Sequence, residues 1–178
     1  MMKKIILLSF LLLLIFESHA QRYDYMYNRK RNIFSFDIGG RTMFWSMNYE
    51  RLFMPRERTF IMTTVGISYF IFPKLFSESN EEFAMYFPHG ISFNLGKYKS
   101  YLEIGFHGSY VIDYFEALGK LNKMRGYLLS PILGYRHMGF KGGFVFKGFV
   151  ALLNYIPITG ESDFKLAPYP GMSVGYNF

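Results

Sequence analysis

The sequence contains no cysteine among its 178 residues. That excludes disulfides, thiol nucleophiles and cysteine-ligated metals. Beyond Phe16 no run of about 18 apolar residues occurs, so no transmembrane helix is available. Acids are scarce, with 13 Asp+Glu against 20 Lys+Arg. Histidine is scarcer still. His19, His89, His107 and His137 form neither an HxH nor an HExxH pattern, so neither a metal nor a cofactor is expected. The glycine pairs Gly39-Gly40 and Gly142-Gly143 have no strand-to-helix setting, so they suit turns and not phosphate loops.

What abounds is aromatic. Phe and Tyr number 21 and 15, and aromatics make up 21% of the chain. A soluble core of this size has no need for so many rings, whereas two membrane interfaces do. The first residues supply an address. Lys3 and Lys4 precede the apolar run Ile5–Phe16, and Ser18-His19-Ala20 offers small residues where a signal peptidase reads. Residues 1–20 are therefore expected to be a secretory signal peptide. A membrane anchor is the other reading, but the run is short for a span. Removing the segment takes away two lysines and one glutamate, so the exported chain stays basic. An exported basic chain is expected to meet anionic lipid or lipopolysaccharide, not nucleic acid.

The remainder alternates. Eight segments of period 2 can be drawn: 33–40, 43–53, 59–72, 86–97, 101–113, 127–138, 143–155 and 168–178. In the fifth, Leu102, Ile104, Phe106, Tyr110 and Ile112 alternate with Glu103, Gly105, His107 and Ser109. In the second, Trp45, Met47 and Tyr49 alternate with Ser46, Asn48 and Glu50. Large apolar residues on one face and small polar ones on the other predict an all-β, eight-stranded, antiparallel up-and-down transmembrane barrel of the outer-membrane type, wet side inward. The inverse arrangement would be a soluble lipocalin-like barrel, which could not hide so many rings. Connections at 54–58, 98–100 and 139–142 are short. Those at 73–85, 114–126 and 156–167 are long. Arg41-Thr42 is a tight exception among the long ones. Short turns belong on the periplasmic side, so both termini are expected there. The organisation is then a lead-in at 21–32 and a barrel at 33–178.

The segment GMSVGYNF ends on Tyr176, Asn177 and Phe178. It resembles the C-terminal insertion signal of outer-membrane barrels, and the resemblance implies that Tyr176 and Phe178 are read by the barrel-insertion machinery. With SMNYERLF (46–53), YLEIGFHG (101–108) and LGYRHMGFKGGFVFKG (133–148), it looks like a set of small outer-membrane barrels of Gram-negative envelopes without assigned activity. The resemblance implies fold and location and no chemistry.

Four charges fall on the predicted lumen face near the periplasmic end: Glu50, Glu103, Arg136 and Lys147. An eight-stranded barrel is only wide enough for side chains, so these four are expected to pair as a structural plug. A gated ion path is the functional alternative. His107 and Ser109 share a face and invite a lipid A or phospholipid-modifying activity, with Asp113 or Glu116 orienting the imidazole. Both residues fall inside the barrel, however, while acyl chains lie outside. Two surfaces invite docking. One is the strip Tyr23, Tyr25, Tyr27, Arg29, Lys30 and Arg31, suited to a periplasmic or membrane partner. The other is the outer loops, acidic at 76–83 and predicted to form about two helical turns over 116–124 from Leu118, Leu121 and Met124. The expected role is non-enzymatic: a structural or interacting barrel, accessory to a larger outer-membrane protein or lipoprotein. Lipid-modifying enzyme and narrow solute channel are the alternatives.

Overall fold

The computed structural model describes residues 30–42, 44–56, 58–71, 83–117, 120–139, 141–158 and 166–178, with backbone alone for 114–117 and 120–124. The strands are β1 (Asn32–Gly39), β2 (Trp45–Phe53), β3 (Thr59–Ile71), β4 (Phe83–Lys97), β5 (Ser100–Ala117), β6 (Lys120–Met138), β7 (Gly143–Pro157) and β8 (Ala167–Asn177). Each pairs antiparallel with its sequence neighbour, and β1 closes on β8 from Ile33↔Asn177 to Gly39↔Gly171, giving a closed barrel. Closure leaves no sheet edge over that span, which a strand structure in hydrocarbon requires.

The predicted faces are the observed ones. Phe93, Ile104 and Val174 are 48%, 55% and 49% exposed on the outer wall, while Asn94 and Glu103 beside them are at 0%. Exposed Phe, Ile, Leu, Met and Tyr occur on the outer wall of every strand. So much apolar surface on a soluble monomer would aggregate. In a bilayer it is the expected band.

Three expectations are corrected. The first concerns 114–126, read as a long loop with helical turns over 116–124. Here β5 and β6 continue as a ladder through Tyr114↔Lys123 and Glu116↔Leu121 to Ala117↔Lys120. Two isolated helical turns must form their own costly nucleus, whereas lengthening an existing hairpin adds pairing at each step. Likewise β4 begins at Phe83, three residues earlier than predicted, and Asn32, placed in the lead-in, belongs to β1.

The second correction concerns the lumen. Small polar residues do not line it alone. Ile33, Leu52, Phe60, Met62, Tyr101, Met138 and Val145 form an apolar layer at the short-turn end. Ala84, Tyr86, Val111, Leu128, Ile132, Phe149, Ala151 and Leu153 form another toward the opposite end. Ile132, which interrupts a polar face in sequence, is a member of that second layer.

The third correction is the β1–β2 connection. It is a single 3-10 turn, Gly40–Thr42, and all three residues are buried. Gly39 and Gly40 adopt φ of 71° and 70°, the left-handed values expected of them. A Cβ on Gly40 would also run into the Phe149 ring. The turn thus folds into the barrel mouth, with Phe149 packed over its glycine.

Candidate functional site

Between the two apolar layers lies a charged one. Arg136 on β6 grips Glu103 on β5 with two bonds, Nε to Oε2 at 3.2 Å and Nη2 to Oε1 at 3.0 Å. Its third nitrogen, Nη1, donates to Glu50 Oε2 at 2.6 Å. Lys147 Nζ on β7 donates to Glu50 Oε1 at 3.0 Å. The four residues singled out in the sequence therefore meet in one network.

Two members were missed. Asp37 on β1 and Arg41 in the turn are both fully buried. Arg41 Nε donates to Asp37 Oδ2 at 2.9 Å, and Nη2 binds the same oxygen. Nη2 also reaches Glu50 Oε1 at 3.3 Å. Asp37 had a readable signal, since it alternates with Ser35 on the inner face. Arg41 had only a faint one, its i+4 spacing from Asp37. With these two, Asp37, Glu50 and Glu103 are balanced by Arg41, Arg136 and Lys147. Phe149 caps the layer, its ring centroid 5.8 Å from the Arg41 guanidinium and 5.1 Å from Lys147 Nζ. These distances permit cation–π attraction in a dry site.

Burying charge is costly unless partners are fixed. Here the ladder fixes them. Glu50, Glu103, Arg136 and Lys147 come from four strands whose register is set by continuous pairing. Ser-sized residues would leave the centre underfilled, while paired long side chains fill it. Every member is at most 4% exposed.

His107 and Ser109 lie in the lumen at 1% and 0% exposure, as their phase predicts. The structure does not assemble them into a nucleophile and base. Ser109 Oγ donates to the Arg41 carbonyl at 3.1 Å. His107 Nδ1 faces Arg41 Nη1 at 3.4 Å. Arginine only donates, so Nδ1 is an acceptor there, and no carboxylate orients the ring through it as a catalytic triad requires. Asp113, offered for that role, lies on the inner face six residues further along β5. The side chain of Glu116 lies outside the described residues. Among the described residues no group of three or more His, Asp or Glu side chains is placed to hold a metal ion.

Of the docking strip, Tyr23, Tyr25, Tyr27 and Arg29 lie outside the described residues. So do residues 1–20 and the acidic stretch at 76–82. Lys30 and Arg31 are exposed at the short-turn end. Tyr176 and Phe178 face outward at 53% and 49% exposure. The Phe178 amide donates to the Asn32 carbonyl at 2.8 Å, extending the β1–β8 seam. On the outer wall of that seam a groove of about 880 Å³ is lined by Phe36, Ile38, Trp45, Tyr169 and Met172 among others, almost all apolar.

No protein-family model and no curated protein matches the chain. Among solved structures it is similar to the N-terminal β-barrel domain of OprF from Pseudomonas aeruginosa. The alignment has 7% sequence identity and a TM-score of 0.49, and covers 84% of this chain and 98% of that one.

Proposed function

We propose that this chain is an integral outer-membrane barrel, exported by its signal peptide with both termini in the periplasm, whose work is done by its outer surface and its two ends and not through its lumen. The observation that carries the proposal is the sealed, charge-balanced layer. Three acids and three bases are buried between two apolar layers, so a hydrated ion entering from either side meets packed side chains. That supports a structural or interacting role over transport. The mutual pairing of the six charges also makes a poor catalytic centre, since none is left to move a proton. Accessory membership of a larger envelope complex follows as the finer reading, because a sealed barrel acts by what it touches.

Three measurements test this. Planar-bilayer recordings of the purified chain should stay silent over many insertions. Steady unitary conductance would replace the plug with a pore. Extraction in mild detergent should bring a larger barrel or lipoprotein through co-elution, and a strictly monomeric species would remove the accessory reading. Lipid A mass spectra should be the same for the wild type and for His107→Ala. A difference would restore the enzymatic reading.

A further inference from the structure

Among the described residues the charges left outside the lumen are distributed unevenly: Arg125 is exposed toward the long-loop end, and the others gather at the short-turn end. Lys30 and Arg31 stand just before β1, and Arg51 on the last turn-ward stretch of β2; all three are exposed. Arg56 and Arg58 flank the β2–β3 turn, Lys97 and Lys99 the β4–β5 turn, and Lys141 sits in the β6–β7 turn; these too are exposed. Every short connection therefore carries a cation, and the set runs round the whole barrel mouth. Among the described residues no exposed acidic side chain stands at this end. Its acids Glu50 and Glu103 are turned inward and consumed by the plug, and Glu57 lies outside the described residues.

The cations are interleaved with interfacial rings. Lys97 Nζ lies 5.3 Å from the Tyr98 ring centroid, and Tyr98 is 80% exposed. The Arg51 guanidinium lies 5.8 Å from the ring of Phe53, itself 42% exposed. Tyr135 shares a 2.7 Å hydrogen bond with Ser100 at the same level. Aromatic rings of this kind sit at the headgroup level of a bilayer, which places the cations among the phosphates.

We infer that the short-turn rim is a binding collar for anionic phospholipid headgroups of the leaflet it faces, phosphatidylglycerol-like in charge. A patch built for one acidic protein would concentrate on one side of the mouth. This one encircles it, as the lipid annulus does, and its cations share their level with the aromatic girdle. The inference rests on the membrane-barrel reading above but not on which leaflet the turns face.

The test is lipid selectivity in reconstituted vesicles, with spin-labelled phosphatidylglycerol and phosphatidylcholine at low salt. The motionally restricted fraction should favour the anionic label about five-fold, as expected when even one Lys or Arg acts near an anionic headgroup. The preference should collapse at high salt, where screening lengths shrink to a few ångströms. It should also fall in the variant Arg58→Gln, Lys97→Gln, Lys99→Gln, Lys141→Gln, whose substitutions are all exposed and leave the plug intact. Equal selectivity in wild type and variant overturns the collar. Absence of any anionic preference, with loss of a co-purifying acidic protein in the variant, overturns it in favour of a protein partner. Failure of the chain to float with the vesicles would instead defeat the membrane reading itself, so the two failures are distinguishable.

Discussion

Glu50 accepts from Arg41, Arg136 and Lys147 at once, so each of its two oxygens answers to a cation from a different part of the barrel. Removing its charge leaves three buried cations sharing Asp37 and Glu103. Breaking a buried pair on one side typically costs about 3–5 kcal/mol. Glu50→Gln should therefore lower the urea midpoint of vesicle-embedded protein by an amount equivalent to that loss. The double replacement Glu103→Leu, Arg136→Met should cost less than either single change. It removes one charge of each sign and leaves Asp37 and Glu50 matched by Arg41 and Lys147. A double-mutant cycle with strong favourable coupling checks this. Arg41 shows why part of the network was hidden from the sequence. Its neighbours mark it as a turn residue, and turns are normally solvated. Only the inward fold of Gly40–Thr42, allowed by two left-handed glycines, carries the guanidinium to the acids.

At the scale of the strand, alternation does the specifying. Because side chains switch faces at every residue, one register decides which half meets hydrocarbon. Ile104 is on the outer wall and Glu103 is in the lumen. Ile104→Arg, on the outer wall four residues in from the short-turn end of β5, should cost up to about 2–4 kcal/mol, the usual penalty for a cation on the lipid face of a barrel near the midplane. The same change at Tyr98, in the headgroup region, should cost little. Equilibrium unfolding from vesicles separates the two. Period 2 made the ends of β1 and β2 legible to within two residues, and the faces of β4 and β5 with them, since large apolar residues alternate with Ser, Asn or Glu there. It blurred in β6 and β7, where Leu128, Ile132, Phe149 and Ala151 point inward. Apolar residues on both faces erase the alternation, although the fold needs them to pack the barrel's interior. The far ends of β5 and β6 were missed for another reason. Leu118, Leu121 and Met124 fit a helical repeat locally, and only the pairing of 114–117 with 120–123 decides for strand. Neither segment alone carries that information.

For the whole molecule, the question is how a chain with more bases than acids keeps its interior neutral. The answer is segregation. The charged layer holds three matched pairs, and among the described residues the exposed cations stand outside it, mostly at the short-turn rim, with Arg125 at the other end. Among the described residues the apolar wall between the rims is broad enough to hold a barrel in a bilayer. The sequence alone made the eight-stranded barrel and its outward-facing apolar wall legible. It left the lumen half-described, because which side chains meet across a barrel depends on shear and closure and not on spacing along any one strand.

The strands differ greatly in length, from 8 residues in β1 and 9 in β2 to 18 and 19 in β5 and β6. The short pair and the long pair stand across the barrel from one another, so its upper lip is cut on a slant. At about 3.3 Å per residue and the usual tilt near 40°, the low side covers on the order of 20 Å, less than the roughly 30 Å of an ordinary hydrocarbon core. In a bilayer, lipids beside β1 and β2 would have to shorten or lean to meet it, while those beside β5 and β6 would not. The barrel is thus a built-in source of one-sided hydrophobic mismatch. Its unfolding midpoint should rise when it is reconstituted in shorter-chain lipids, and a midpoint unmoved by acyl length would show that the neighbouring lipids are under no such compression.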